Sequence, residues 1–75
     1  METDFANRYK NLGINIAYYR KLRGLTQMQL AEKVEISRTH MSRIESAECA
    51  ASLDTIFRLS YWLDVPPEKL FINID

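Results

Sequence analysis

Between Leu25 and Glu45 the chain reads LTQMQLAEKVEISRTHMSRIE, two short helical segments with almost no chain between them. Thr26 is suited to cap the first, and Gln29 three residues later completes a capping box. Leu25 and Leu30 flank that cap as a hydrophobic staple, and Leu30, Ala31 and Val34 recur on one helical face. Ser37 is a second N-cap, stapled by Ile36 and Met41, with Ile44 one turn further on. Only Glu35 and Ile36 separate Val34 from that cap, so the two helices are forced to cross at a steep angle.

A steep crossing over so short a link is the geometry of a helix-turn-helix unit. It turns Arg38, Thr39, His40, Ser42 and Arg43 to the outer surface of the second helix. Arginine, threonine and serine side chains can bond base edges or phosphates. The net charge of zero at first argues against a nucleic-acid partner, but the charges are unevenly distributed. Positions 8–43 hold eight basic residues against two acidic ones, and positions 44–75 hold two basic against six acidic. A molecule with one basic and one acidic face can still meet DNA by the basic one.

The flanking segments read as helices around this unit. From Asp4 to Arg23, Phe5, Tyr9, Leu12, Ile16 and Tyr19 form an amphipathic stripe, with Asp4 or Asn7 as cap and Gly24 as C-cap. Arg20, Lys21 and Arg23 favour its C-terminal end through the helix dipole. After the loop SAECAAS, Ser52 caps a helix from Leu53 to Leu63, with Ile56, Leu59, Ser60 and Leu63 facing inward. Phe57, Tyr61 and Trp62 are left on or near the surface, a candidate dimer surface unless the segment around Phe5 covers it. Pro67 is suited to start a short fifth helix ending at Phe71, and residues 72–75 form a frayed end or a strand across a dimer.

From about Leu12 to Phe71 the chain resembles the phage repressor and Cro family of helix-turn-helix regulators, also called the XRE class. The resemblance rests on Arg20, Thr26, Gln27, Leu30, Ala31, Ser37, Ser42, Ile44, Glu45, Ser52, Leu53, Leu63 and Leu70 with Phe71. Glu35 stands where the family usually has its turn glycine, Ala47 where it often has another, and Ala51 where it often has proline. The resemblance implies an all-α, five-helix bundle and a transcriptional regulator binding a palindromic operator as a homodimer. The third helix, Ser37 to Glu45, would enter the major groove, with the two copies about 34 Å apart. By position, Arg38, Thr39, Ser42 and Arg43 are expected to read bases. Thr26, Gln27, Ser37 and Ser46 are expected to hold phosphates, and Arg20 to form an ion pair with Glu45. Small members of the family resemble phage repressors, antitoxins with a toxin partner, and controller proteins of restriction–modification systems. The run SRTHMS bears a loose similarity to the last group.

At 75 residues the chain makes a single domain, burying about 60% of its unfolded surface. No apolar run approaches a membrane span, METDFANRYK is not a signal peptide, and the lone Cys49 suits a reducing cytoplasm. Catalysis has no support: there is no carboxylate pair in a recognisable motif, no metal-ligand spacing and no phosphate-cradling glycine loop. His40 reads as an exposed polar residue beside DNA and Cys49 as inert, and no cofactor or metal is expected. The competing reading is a protein-interaction module that has lost DNA binding, because Glu35 and Glu48 flank the recognition helix and would repel phosphates. DNA binding requires Arg38, Arg43 and Lys33 to share one positive face.

Overall fold

In the computed structural model, which describes residues 5–73, four α-helices and a terminal 3-10 turn pack around one core. The helices are α1 (Ala6–Leu22), α2 (Gln27–Val34), α3 (Arg38–Glu45) and α4 (Leu53–Leu63). Each of the last three begins at a hydroxyl cap. Thr26 Oγ1 accepts from the Gln29 N–H while Gln29 Oε1 accepts from the Thr26 N–H, and Ser37 and Ser52 accept from the N–H groups of His40 and Thr55. These bonds satisfy donors that a helix end would otherwise leave open.

The helix C-termini share one closure. Gly24, Glu35, Ala47 and Asp64 all take the left-handed conformation, with φ of 71°, 63°, 62° and 56°. In each case the next N–H (Leu25, Ile36, Glu48, Val65) returns to a carbonyl near the helix end (Arg20, Ala31, Arg43, Ser60). This is the Schellman arrangement, which normally prefers glycine at the left-handed position. Only one of the four residues here is glycine. The strain suspected at Glu35 is therefore accepted rather than avoided, and Arg58 Nη1 offsets part of it by donating to Glu35 Oε2 at 3.1 Å.

The core joins Leu12 and Ile16 of α1 to Leu30, Ala31 and Val34 of α2, Met41 and Ile44 of α3, and Ile56, Leu59 and Leu63 of α4. Leu70 closes it from the 3-10 turn. Three sequence expectations need correction. The fifth helix is a 3-10 turn, Pro67–Phe71: five residues opened by Pro66 and Pro67 are too few for α-helical bonding, and Ile72 is already extended. The first helix begins after Phe5 with no side-chain cap; Asn7 lies inside it, and Asp4 is outside the described residues. Its inward face is also rotated. Gly13, Asn15 and Arg20 are buried with Leu12 and Ile16, Tyr9 and Tyr19 only lean on the core, and Phe5 is 58% exposed.

The rotation has specific causes. A Cβ on Gly13 would lie 2.3 Å from the Glu45 carbonyl oxygen, so glycine there lets α1 touch the end of α3. Asn15 Nδ2 donates to the carbonyls of Leu70 and Ile72, and Asn11 Nδ2 also donates to Ile72. The start of the tail is thus tied to α1; residues 74 and 75, which a cross-dimer strand would need, lie outside the described residues. Phe5 lines a groove with Leu53, Ile56 and Phe71 rather than covering Phe57 and Tyr61, which remain 56% and 74% exposed. Among the described residues no helix is long and apolar enough to cross a membrane.

Two substitutions should move stability in opposite directions in urea denaturation. Gly13→Ala is expected to cost about 2 kcal/mol through forced separation of α1 and α3. Ala47→Gly should add about 1 kcal/mol by relieving the left-handed residue.

Candidate nucleic-acid interface

The recognition helix is held from beneath by one polar cluster. Arg20 Nε donates to Glu45 Oε2 at 2.8 Å and Nη2 donates to Oε1 at 3.1 Å, a bidentate pair between α1 and the last residue of α3. Both side chains are about nine-tenths buried, with 11% and 7% exposure. Arg20 Nη1 also donates to the Leu25 carbonyl, and Gln27 Nε2 donates to Glu45 Oε1 at 3.0 Å. A buried pair is favourable only when its remaining hydrogen-bonding capacity is met. Here α1, α2 and the α1–α2 turn all contribute to meeting it.

With Met41 and Ile44 buried, Arg38, Thr39 and Arg43 are left exposed on the opposite side of α3, with Ser42 half-buried at their margin. The i, i+4 relations of Arg38 with Ser42 and of Thr39 with Arg43 put these four side chains on one helical face. Neither guanidinium is bonded to another described residue. His40 is exposed, and Cys49 is half-buried against the core. Among the described residues no three His, Cys, Asp or Glu side chains converge as a metal site.

The expected phosphate residues fall into two places. Gln27 and Ser46 line one open groove of about 480 Å³, together with Ser42, Lys21, Ile14 and Tyr18. The Gln27 side chain is turned to Glu45, so what it presents outward is its backbone N–H, which with that of Met28 has no partner among the described residues. The Ser46 hydroxyl donates to Glu48 Oε2 at 2.6 Å and also approaches the Arg43 carbonyl at 3.4 Å. Thr26 and Ser37 are exposed at the starts of α2 and α3, each with its hydroxyl oxygen accepting a backbone N–H. Lys33 does not join Arg38 and Arg43: its Nζ lies 4.7 Å from the centre of the Trp62 ring, a cation–π contact between α2 and α4.

Residues 16–70 match the model of the helix-turn-helix family HTH_3. The chain belongs to this family of DNA-binding transcriptional regulators. An uncharacterized HTH-type transcriptional regulator of Methanocaldococcus jannaschii, MJ0272, is 37% identical over 60 residues, which span 80% of this chain and 91% of that one. The restriction-modification controller protein C.AhdI of Aeromonas hydrophila superposes with a TM-score of 0.86 at 28% identity, covering 92% of this chain and all of the other. The hypothetical transcription factor NHTF of Neisseria shares the fold, with a TM-score of 0.85 at 24% identity over 95% of this chain and 82% of its own.

For this helix-turn-helix chain, three contacts carry information that pattern reading did not supply. Gln27 serves the buried pair, Arg58 neutralises Glu35, and Glu48 occupies Ser46. Arg58 had a local signal, four residues after Asp54, to which its Nε also bonds at 2.9 Å. The other two depend on the turn that ends α3 and on the α2–α3 crossing. Glu45→Ala should destabilise the fold by about 3 kcal/mol in urea denaturation, because it strands a buried guanidinium. Gln27→Ala, which removes only an outer hydrogen bond, should cost about 1 kcal/mol.

Proposed function

We propose that this single-domain regulator reads a palindromic operator as a homodimer, with α3 in the major groove of each half-site. The observation that carries the reading is the exposed face of α3, where Arg38 and Arg43 stand without an acidic partner among the described residues. Either guanidinium can bond guanine O6 and N7 in bidentate fashion, worth about 1–3 kcal/mol of discrimination. Thr39 and Ser42 complete the base-reading set, while Thr26, Gln27, Ser37 and Ser46 hold the flanking phosphates and fix the register of α3. The Arg20–Glu45 pair makes no contact with DNA in this scheme; it holds α3 at a fixed angle to α1 and α2.

Dimerisation fits the exposed stripe of α4. Leu53, Phe57 and Tyr61 recur every four residues and are more than half exposed, with Trp62 beside them at 43%. A second copy meeting this stripe about a two-fold axis would place the two α3 helices about 34 Å apart, one turn of DNA. The likeness to a controller protein over that protein's entire length supports a stand-alone regulator without an effector domain, acting in the cytoplasm through its own occupancy. A protein partner such as a toxin would be a further input at the same stripe. The rival reading, a partner-binding module without DNA contacts, loses one of its two supports because Glu35 is paired with Arg58.

Selection of bound sequences from random duplex DNA should enrich a palindrome, with affinity falling steeply between about 50 and 200 mM salt. Arg43→Ala should relax one base position in each half-site, whereas Lys69→Ala should not. Phe57→Glu with Tyr61→Glu should leave helicity intact while sedimentation reports a monomer. Failure to enrich any sequence, with no low-salt binding, would remove the reading.

A further inference from the structure

The end of α3 carries an arrangement that bears directly on how tightly this protein holds DNA. Ser46, just past the helix, has a single hydroxyl proton, and it points to a carboxylate: Oγ donates to Glu48 Oε2 at 2.6 Å. The backbone enforces the meeting. Ala47 takes the left-handed conformation, and the Glu48 N–H returns to the Arg43 carbonyl at 2.8 Å, which folds residue 48 back over the helix end. Glu48 is exposed and bonds to no cation among the described residues. It differs in this from Glu35, the other acidic residue flanking α3, whose charge is met by Arg58.

We infer that Glu48 is an affinity-setting residue: its carboxylate holds the Ser46 hydroxyl in place of a DNA phosphate and must be displaced when the backbone docks. The inference rests on the reading of Ser46 as a phosphate contact. A hydroxyl can give its proton to only one strong acceptor at a time, so carboxylate and phosphate compete for it. The displaced carboxylate then stands as an unpaired negative charge beside the incoming phosphate, and this repulsion is screened by salt. The protein is thereby kept from binding duplex DNA as tightly as Arg38 and Arg43 alone would allow. Sequence selectivity is preserved, because the penalty acts at a backbone contact shared by all sequences.

The test is equilibrium binding of the full chain to a short mixed-sequence duplex at about 50 and 200 mM salt. It compares wild type, Glu48→Ala, Glu68→Ala, Ser46→Ala and the Ser46→Ala/Glu48→Ala double variant. Glu68 lies on the 3-10 turn, which packs on α1 and α4, so its substitution makes the same change in net charge away from α3. Glu48→Ala is expected to tighten low-salt binding roughly fivefold, with a smaller gain at high salt. Glu68→Ala should change it less than about twofold at either salt, by the same screening. Ser46→Ala should matter little in wild type, where the hydroxyl is already taken, and weaken binding severalfold once Glu48 is gone.

Equal gains from Glu48→Ala and Glu68→Ala would reduce the effect to net charge and overturn the inference. So would unchanged binding in Glu48→Ala while wild type binds normally, and in that case the DNA reading stands. If neither wild type nor Glu48→Ala binds at low salt, the DNA reading fails and the inference with it.

Discussion

Everything this fold offers to a partner depends on the bidentate pair between Arg20 and Glu45. It joins the penultimate turn of α1 to the last residue of α3, and Gln27 brings the start of α2 into the same cluster. Hydrophobic packing alone would leave α3, only eight residues long, free to roll about its own axis on Met41 and Ile44. A directional pair at one end removes that freedom. Burying two charges is costly, and the cost is contained here because among the described residues every buried side-chain nitrogen and oxygen has a partner. Gly13 belongs to the same constraint, since any larger residue would separate α1 from the carbonyl end of α3 where the pair forms.

The second organising device is the repeated left-handed helix closure. Three of its four positions hold residues with a Cβ, each carrying roughly 1 kcal/mol of strain. Such strain persists only where the surroundings determine the backbone. At Glu35 the two-residue link between α2 and Ser37 leaves no room for another turn. Arg58 further anchors that corner by reaching both the Glu35 carboxylate and, at 3.4 Å, the Val34 carbonyl. At Asp64 the arrangement is similar, with Arg23 donating to the carbonyls of Leu63 and Asp64. Arginines on α1 and α4 therefore act on neighbouring helix ends, where carbonyls and the negative end of the dipole favour a cation.

What could be read from the sequence follows from how local each cause is. The caps at Thr26, Ser37 and Ser52, the two-residue turn and the α4 inward face are written within three or four residues, and all stand in the structure. The face of α1 is not local. A stripe of Phe5, Tyr9 and Tyr19 outweighs Gly13, Asn15 and Arg20 on any hydropathy scale, yet the latter three are buried because of residues 30 to 57 positions away in the case of Gly13 and Asn15, and 25 in the case of Arg20. Arg20 was legible only through a family pattern that pairs it with Glu45. The 3-10 turn was misread for the opposite reason: Pro67 is a good helix start, but two asparagines of α1 capture the Ile72 carbonyl and leave no length for an α-helix.

Electrostatics shows the same divide between composition and placement. By sequence, Glu35 and Glu48 are equivalent negative charges on either side of the recognition helix. In the fold they are not equivalent. Glu35 is drawn toward α4, where Arg58 also holds Asp54, so its field is largely cancelled at short range. Glu48 is folded back by Ala47 onto a neutral hydroxyl and keeps its full charge at the end of α3. A chain with zero net charge can therefore present an uncompensated arginine pair along α3 and an uncompensated carboxylate at its end. The attraction of the first draws the helix to any duplex, while the second limits how closely the backbone can follow. Affinity in such a module is set by the few charges that folding leaves unpaired, and these depend on which helix ends the arginines reach.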